Sequence, residues 1–354
     1  MTSAANSSLQ AISESHFFKW LFFACLILLV AGCSGETAYQ RLQGPTMGTG
    51  WSVSYAPGPD TPSAEIVRAG LEAELEAVNA SMSTYRAESE ISTLNQAPLG
   101  ESFPLSEAFS EVLMSALAVS EASGGAYDVT VGPLVDLWGF GPGEVAQELP
   151  DDKAIQAALN AVGAEYIEVA ADGSALTRLA AVTLDFSSIA KGYGVDRLAV
   201  RLEMMGVSDY MVEVGGEIRV AGVSPRGDSW RIAIEQPDGQ AGIAAAMALV
   251  DTAVATSGDY RNFFEYDGRR YSHTIDPRSG YPVDHDLVSV TVLHEKAMMA
   301  DAWATALTVL GPEEGLAVAQ AQGLAVYFIS RQGGEFVSAK TTGLESVLIE
   351  RSAE

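Results

Sequence analysis

The order of helical and strand-like patterns along the chain constrains its fold more than any other sequence feature. Apolar residues at helical spacing predict helices over residues 63–81, 106–123, 151–162, 187–205, 295–310 and 312–322. Short apolar runs predict strands over 50–55, 166–170, 175–177, 182–185 and 324–330, with several more within 209–293. The two kinds alternate without a regular β-α-β repeat. This predicts an α+β fold, with largely antiparallel or mixed sheets, packed helices and one compact catalytic unit.

The beginning of the chain resembles an export signal. Lys19 precedes an uncharged apolar run over residues 20–31, which is shorter than the roughly 20 residues that span a membrane. The run ends in Val30-Ala31-Gly32-Cys33, and small residues before a cysteine resemble the lipobox of bacterial lipoproteins. In such proteins the signal is cut before the cysteine, whose sulfur receives a diacylglycerol. The alternative is a single uncleaved anchor, and either arrangement holds the bulk of the chain outside the cytoplasm at a membrane.

These features predict a simple division of the chain. We expect a lipoprotein signal over 1–32, a lipid-anchored tether over 33–44, the catalytic domain over 45–345 and a tail over 346–354. Cys25 leaves with the signal, so Cys33 is the one cysteine of the mature chain. A disulfide framework, thiol catalysis and cysteine-based zinc sites are therefore excluded. We expect the domain to face the periplasm, with the inner membrane favoured over the outer.

The charge balance limits the partners. The formal net charge is −26 at pH 7, and a field of that sign repels the phosphate backbone of nucleic acids. The sequence also lacks a G-x-G-x-x-G motif at a strand–helix junction and a Walker A loop, so neither standard nucleotide-binding fold is supported. A phosphate-bearing ligand would need a bound cation or backbone N–H groups.

Three segments carry residue types suited to chemistry. In residues 300–306, Asp301 and Thr305 share one helix face and offer hard oxygen ligands for Mg²⁺ or Ca²⁺. Alternatively, Asp301 is an acid that lies near a helix start and Thr305 is a packing residue. In residues 185–193, a strand end leads through Ser187-Ser188 into a helix with Lys191, which suits an anion, although the serines alone fit N-caps. In residues 271–280, His273 precedes a tight Asp-Pro-Arg-Ser-Gly turn. A lone histidine is more often structural, but this one lies among polar and charged neighbours.

Three further patches are weaker when taken singly. They are the small-residue loop 45–50, the polar loop 81–85 with the aromatic Tyr85, and the segment 125–130, in which Asp128 could accept from a ring N–H or a ribose hydroxyl. Each alone fits an ordinary turn or cap.

In order and spacing, however, these patches together resemble the ApbE family of FAD:protein FMN transferases. The matching segments, which span roughly residues 45–306, are Thr46-Met47-Gly48-Thr49, Met82-Ser83-Thr84-Tyr85, Gly125-Ala126-Tyr127-Asp128-Val129-Thr130, residues 185–193, Gly215-Gly216-Glu217, Thr256-Ser257-Gly258, residues 273–280 and residues 300–306. The lipobox agrees, since many members of the family are lipoproteins.

The resemblance implies an activity and its partners. Family members use FAD as co-substrate with Mg²⁺ as cofactor, and attach FMN through a phosphoester to a threonine, or sometimes a serine, of a target flavoprotein, releasing AMP. The targets are subunits of respiratory redox complexes, such as the Na⁺-pumping quinone reductase and the Rnf complex.

The resemblance also implies roles for single residues. Asp301 and Thr305 would hold the metal together with the backbone carbonyl of Ser188, and His273 matches a histidine proposed to assist catalysis. The FAD site would be lined by Met47, Tyr85, Ala126, Tyr127, Asp128, Asp185, Lys191, Thr274 and Ile275. Asp185-Phe186-Ser187-Ser188 departs from the commoner Asp-Leu-Ser pattern of the family, and the Lys191 position varies among members.

Two other functions fit the same residues. With water as nucleophile, the protein would be a Mg²⁺-dependent FAD pyrophosphatase that gives FMN and AMP. Without catalysis, it would be a flavin-binding lipoprotein that stores or presents FAD. The sequence leaves the general base open between His273, a nearby carboxylate and no strong base at all.

Overall fold

A large antiparallel sheet is the centre of the structure, a computed structural model that describes residues 38–141, 149–238, 242–258, 263–266 and 269–349. Its strands are β1 Gln40–Thr46, β2 Thr49–Tyr55, β3 Ser102–Pro104, β4 Ile167–Val169, β5 Ala175–Arg178, β6 Tyr210–Val214, β7 Glu217–Ala221, β8 Trp230–Glu235, β9 Ile243–Leu249, β10 Thr252–Gly258, β11 Phe263–Tyr266, β12 Arg269–Ser272, β13 Leu287–His294, β14 Ala325–Gln332 and β15 Glu335–Lys340. Eight of them form the main sheet in the order β1-β2-β6-β7-β10-β13-β14-β15. Smaller sheets are β3-β5-β4, β8-β9 and β11-β12.

Helices pack on the sheet and beside it. They are α1 Ala64–Met82, α2 Glu90–Gln96, α3 Glu107–Ala122, α4 Gly132–Leu137, α5 Asp152–Leu159, α6 Ala190–Met204, α7 Ala297–Ala321 and α8 Thr342–Glu345, with a 3₁₀ turn at Ala164–Tyr166. From Tyr39 onward, the described part of the chain belongs to one compact unit. The predicted α+β class, with antiparallel sheets and packed helices, is confirmed.

The main sheet is covered on both faces, because alternate side chains of a strand point to opposite sides. On β14, Val326 and Phe328 join the core that contains α3 and α7, whereas Tyr327 and Ile329 join the core formed with the β8-β9 hairpin. All but the last residue of β13 are buried accordingly. The sequence of β13, LVSVTVLH, fits this position because it is mostly apolar and its two buried polar residues, Ser289 and Thr291, are small.

Several predicted elements differ in detail from the structure. The expected strand over 182–185 is reduced to one isolated bridge between Val131 and Thr183. Helix α6 begins at Ala190 rather than at residue 187, because residues 187–189 form turns. Ile66 is one of the apolar residues at helical spacing within 63–81, but its side chain is 57% exposed. Tertiary packing decides these points, and local patterns do not record it.

The folded part also extends beyond the predicted domain limits. Strand β1 begins at Gln40, within the stretch expected to be tether, and pairs with β2. Val347 and Ile349, which were expected to lie in the tail, hydrogen-bond through their backbones to β9. The predicted signal and Cys33 lie outside the described residues. None of the described helices is both long and apolar enough to cross a membrane.

A break in α7 explains why the sequence predicted two helices there. Gly311 has a φ of 77°, and Pro312 follows it. Because proline has no N–H, the carbonyl of Thr308 loses its helical partner. The ring of His285 lies against Gly311 and supplies the missing donor through Nε2, 2.8 Å from the Thr308 oxygen.

Candidate active site

One cleft of about 1820 Å³ collects the residues that the sequence indicated. Its walls come from the β1-β2 turn, the end of α1, the loops before α4 and α6, the start of β7 and the middle of α7. All the predicted site residues line it: Met47, Tyr85, Ala126, Tyr127, Asp128, Asp185, Ser188, Lys191, His273, Thr274, Ile275, Asp301 and Thr305. The cleft exceeds the roughly 300–1,000 Å³ of sites for drug-sized ligands, so it accommodates a ligand of dinucleotide size.

Asp301 and Thr305 lie one turn apart on α7 and both line the cleft. Asp301 is 5% exposed, and its Oδ2 accepts a hydrogen bond from the backbone N–H of Gly192 over 3.0 Å. The N-terminus of α7 is capped by another carboxylate, that of Asp196, which accepts from the N–H groups of Ala297 and Met298. Capping therefore does not explain the buried position of Asp301.

The loop before α6 is a second wall. Helix α6 has Ile189 as its N-cap, without a side-chain cap bond, so neither Ser187 nor Ser188 caps it. The hydroxyl of Ser188 instead donates to the Tyr127 hydroxyl oxygen over 3.1 Å. Asp185 accepts from the N–H of Ser187 over 2.7 Å. The loop thus turns toward the cleft, and its side chains are free from a capping role.

The crossing of α6 and α7 requires a glycine. A Cβ on Gly192 would lie 2.4 Å from the carbonyl oxygen of Ala297 and 2.6 Å from the Cα of Met298. This close approach lets the Gly192 N–H reach Asp301 and brings Lys191 beside the same carboxylate. Gly192 weakens the helix, but the packing against α7 leaves no space for any larger residue.

Lys191 lies between two carboxylates. Its Nζ is 2.6 Å from Oε1 of Glu217 and 3.6 Å from Oδ1 of Asp301. Burial disfavours the charged lysine, but the carboxylates of Asp301 and Glu217 outweigh it and raise the pKa of Lys191 above its usual value. Burial raises the pKa of Glu217 to about 7, against the opposing effect of Lys191. In the sequence, Glu217 belongs to a segment that matches the family, but no local pattern there indicates a role for its side chain.

The β1-β2 turn shapes another part of the wall. Thr46 pairs with Thr49, so Met47 and Gly48 are the two turn residues, with φ values of 47° and 70°. Positive φ at both positions is the mark of a tight type I′ hairpin. The side chain of Met47 contacts α6 near Gly194. The predicted loop at 45–50 is thus a hairpin tip that reaches the helix carrying Lys191.

Aromatic side chains complete the lining. Tyr127 is buried, and burial raises the pKa of its hydroxyl, with a further increase from the carboxylates of Asp301 and Asp185. Tyr85 is 69% exposed at the cleft and is available to stack on a planar ligand. Asp128 is half-buried, and desolvation raises its pKa, although hydrogen bonds from Thr130 oppose the rise.

His273 approaches the cleft from the turn that the sequence predicted. Gly280 has a φ of 80°, and its N–H donates to the carbonyl of Asp276 over 2.8 Å, which closes the turn. The rings of His273 and Phe140 lie 6.3 Å apart with an edge-to-face tilt. Thr274 and Ile275 are buried beside it.

The oxygen donors at the cleft suit a hard cation. Asp301 offers a carboxylate, Thr305 a hydroxyl and Ser188 a backbone carbonyl, which are the ligand types of Mg²⁺. Within the described ranges, no group of three or more His, Cys, Asp or Glu residues could hold a metal ion. A site with one carboxylate matches the way Mg²⁺ binds together with substrate phosphates, and it does not match an all-protein cage.

Fold and cleft together define a class: an α+β protein with one large cleft lined by aromatic rings, hard oxygen donors and a lysine. Comparison with known proteins narrows the class. The ApbE family profile matches residues 47–328. A relative from Vibrio cholerae, named FAD:protein FMN transferase, is 42% identical over 90% of this chain and 95% of its own. One of the same name from Haemophilus influenzae is 40% identical over 91% and 95%.

Solved structures agree with the sequence comparison. The flavinyl transferase ApbE of Pseudomonas stutzeri, in its apo form, superposes with a TM-score of 0.82 at 40% identity, over 88% of this chain and 96% of its own. The flavin transferase ApbE of Vibrio cholerae gives the same score, over 88% of this chain and all of its own. The chain belongs to the ApbE family and is an enzyme. The resemblance found in the sequence is confirmed.

Proposed function

We propose that this protein is an FAD:protein FMN transferase. It moves FMN from FAD to a threonine or serine hydroxyl of an acceptor flavoprotein, through a phosphoester bond, and releases AMP. The observation that carries the proposal is the cleft of about 1820 Å³, where the Asp301 face of α7 meets the loop before α6 and the aromatic lining. The names of the relatives from Vibrio cholerae and Haemophilus influenzae support the same activity.

A divalent cation is part of the proposal. Asp301, Thr305 and the carbonyl of Ser188 would hold Mg²⁺, and the donor chemistry supports this choice. When bound, Mg²⁺ supplies positive charge to the diphosphate oxygens. The chain itself offers little such charge, because Arg86 and Lys191 are the only arginine or lysine side chains among the described residues that line the cleft.

The remaining side chains orient the two substrates. Tyr85 and Met47 would contact the flavin ring system, because an exposed aromatic ring and a flexible thioether suit a planar apolar ligand. Ala126, Tyr127, Asp128, Asp185, Thr274 and Ile275 would line the rest of the FAD site. Positioning of this kind is a large part of phosphoryl-transfer catalysis, since the reaction needs an in-line arrangement of the attacking and leaving oxygens.

The transfer step exchanges one phosphorus–oxygen bond for another. The acceptor hydroxyl oxygen attacks the FMN phosphorus, a phosphoester bond forms, and the diphosphate bond breaks with its electron pair passing to AMP. We assign His273 to take the proton of the acceptor hydroxyl, because it lines the cleft beside the proposed FAD residues Thr274 and Ile275.

We further propose that the protein works at a bacterial membrane. Cys33 would carry the lipid anchor, with the domain facing the periplasm at the inner membrane. The acceptors would be flavoprotein subunits of respiratory redox complexes of the Na⁺-pumping quinone reductase or Rnf type. The lipobox-like Val30-Ala31-Gly32-Cys33 supports the anchor, and the acceptor class rests on the family resemblance.

The test combines the protein with FAD, Mg²⁺ and a purified acceptor subunit, followed by denaturing electrophoresis. We expect covalent flavin fluorescence on the acceptor and one AMP released per flavin attached. An acceptor with valine in place of the target threonine is the matched control and should stay dark. FMN and AMP released without labelled acceptor would identify a pyrophosphatase, and bound FAD that yields no AMP would identify a flavin-binding protein. Asp301→Ala should abolish Mg²⁺-dependent transfer.

A further inference from the structure

The ammonium group of Lys191 competes for the carboxylate that we assign to the metal. Nζ lies 3.6 Å from Oδ1 of Asp301, within the range of a direct ion pair. Two positive charges on one carboxylate repel each other, and the repulsion is strong where the group is shielded from water; Asp301 is 5% exposed. The position of this ammonium therefore affects how tightly Asp301 can take up a dication.

Glu217 is the closer carboxylate partner of the ammonium. Its Oε1 is 2.6 Å from Nζ, a full ångström closer than the Asp301 oxygen. Glu217 is 3% exposed, and its Oε2 is buried without a hydrogen-bond partner among the described residues. Buried carboxylate oxygens normally have a donor. The unpaired oxygen gives the ammonium a second acceptor on the same carboxylate.

The backbone beside this pair leaves room for the lysine stem. A Cβ on Gly215 would lie 3.2 Å from Cδ of Lys191 and 2.8 Å from Cγ2 of Thr49. Gly215 also has a φ of 60°, which favours glycine. The turn between β6 and β7 thus combines a glycine that admits Lys191 with the carboxylate that binds it.

We propose that Glu217 is a positioning residue that draws the ammonium of Lys191 away from Asp301, so that the dication and the lysine can occupy the site together. The inference rests on the proposed function. With both carboxylates ionised, Lys191, Glu217 and Asp301 carry one excess negative charge without a dication and one excess positive charge with it. The site is thereby switched from repelling to attracting the diphosphate of FAD.

No other lysine or arginine within the described cleft lining can play this part. Arg86 is paired with Glu76, with Nη2 of the arginine 2.9 Å from the carboxylate Oε2. The pair lies at the exposed end of the lining, since the Arg86 and Glu76 side chains are 41% and 63% exposed. Lys191 is the cation that contacts Asp301.

The experiment is a double-mutant cycle on metal binding, measured without FAD or acceptor. The full chain is purified in detergent and titrated with MgCl₂ by calorimetry at about pH 8, where the Glu217 carboxylate is ionised. The proteins compared are the wild type, Lys191→Met, Glu217→Gln and the double variant. Lys191→Met should lower the Kd for Mg²⁺ about tenfold, because the competing charge is gone. Glu217→Gln should raise it about tenfold, because the ammonium keeps Asp301 as its only carboxylate. The double variant should bind like Lys191→Met, because Glu217 acts through the lysine.

Glu74→Gln is the matched control. Glu74 lies outside the cleft, its side chain is 20% exposed, and it pairs with Arg197 over 2.8 Å. The variant changes the net charge of the chain by the same amount as Glu217→Gln, and its Kd should stay within about twofold of wild type. Circular dichroism and thermal unfolding establish that each variant is folded, and only folded variants enter the cycle.

The inference is overturned if the two single variants shift the Kd in the same direction, if neither shifts it by more than about twofold, or if the double variant keeps the weakened binding of Glu217→Gln. If the wild-type protein transfers FMN but the cycle shows no coupling, the inference is wrong and the proposed function stands. Wild-type protein that takes up no Mg²⁺ without FAD overturns the inference, and the metal leaves the proposed function only if FMN transfer also proceeds without Mg²⁺.

Discussion

The backbone N–H of Gly192 donates a hydrogen bond to Oδ2 of Asp301, and this bond links α6 to α7 at the candidate metal site. The two helices meet so closely that a Cβ on Gly192 would lie 2.4 Å from the carbonyl oxygen of Ala297. The glycine on α6 therefore allows the Asp301 carboxylate and the lysine at 191 to lie beside each other. Their arrangement depends on packing as much as on the residues themselves.

Gly192→Ala should disturb this arrangement. The new methyl group meets backbone atoms of α7, which cannot move aside as a side chain can, so the helices must separate. We expect a loss of about 1–3 kcal/mol in the free energy of unfolding, the usual range for overpacked sites, together with weaker Mg²⁺ binding. Chemical denaturation and calorimetry measure the two effects.

Gly194→Ala is the control for that substitution. It lies on the same helix, but its Cβ would first meet the terminal methyl of Met47 at 3.2 Å, which can shift. We expect a loss below about 1 kcal/mol and Mg²⁺ binding near that of wild type. Equal losses in the two variants would show that the clash at the helix crossing is not the cause.

The sequence predicts which side chains share one helix, but it does not predict which side chains meet across different elements. Asp301 and Thr305 were assigned to one helix face because the period of a helix is a local property. The pairing of Lys191 with Glu217 joins an α6 side chain to the start of β7, 26 residues away, and no local pattern encodes it. The sequence predicts a helix start at residue 187, whereas α6 begins at Ala190. The two serines do not cap α6, because this loop turns toward the cleft.

Thr305→Val tests the metal assignment with little change in shape. It removes a hydroxyl that lines the cleft, and the Kd for Mg²⁺ should rise at least about tenfold, with a matching loss of transfer at limiting Mg²⁺. Calorimetric titration and the gel fluorescence assay provide the measurements.

Thr308→Val, on the same helix, is the matched control for Thr305→Val. Thr308 is 3% exposed, and its hydroxyl donates to the carbonyl of Ala304 rather than facing the cleft. Stability should fall by about 1 kcal/mol through the lost hydrogen bond, while the Kd for Mg²⁺ stays unchanged. If both valine variants weaken Mg²⁺ binding equally, the Thr305 hydroxyl is not a ligand.

His273→Ala tests the proposed base. General-base catalysis contributes about 10²- to 10⁴-fold, so the rate of transfer should fall by that factor. The affinity for FAD, followed by the quenching of flavin fluorescence, should change little. Transfer near the wild-type rate would take His273 out of the proton transfer and leave substrate positioning to account for the reaction.

Asp196→Asn should loosen the start of α7, the helix that carries the proposed metal ligands Asp301 and Thr305. Asp196 is 8% exposed, and its oxygens accept from the N–H groups of Ala297 and Met298 and from Arg219. An amide replaces one acceptor by a donor and removes the charge opposite Arg219, so we expect a loss of about 2 kcal/mol in denaturant unfolding. Asp151→Asn, at the exposed cap of α5, should be nearly neutral because asparagine caps as well as aspartate. Equal effects at both caps would contradict the prediction.

Glu217→Gln should change how stability depends on pH. Burial raises the pKa of Glu217 from an ordinary 4.5 to about 7 in the folded protein. Between these values the folded protein keeps a proton that the unfolded chain releases, so the contribution of Glu217 to stability falls as pH rises from about 4.5 to 7. Glutamine cannot ionise. The stability of the variant relative to wild type should therefore rise by about 3 kcal/mol across this window and level off above it, as measured by denaturant unfolding at each pH.

Glu76→Gln is the control, because its stability relative to wild type should change with pH in the opposite direction. A hydrogen bond from Arg86 lowers the pKa of Glu76, so its contribution is present above the ordinary pKa and is lost as pH falls. Relative to wild type, this variant should lose a little stability as pH rises, because the pair is exposed. Parallel curves for wild type and Glu217→Gln between pH 4.5 and 7 would mean that the carboxylate of Glu217 is not held protonated by burial, and that Lys191 keeps it ionised throughout.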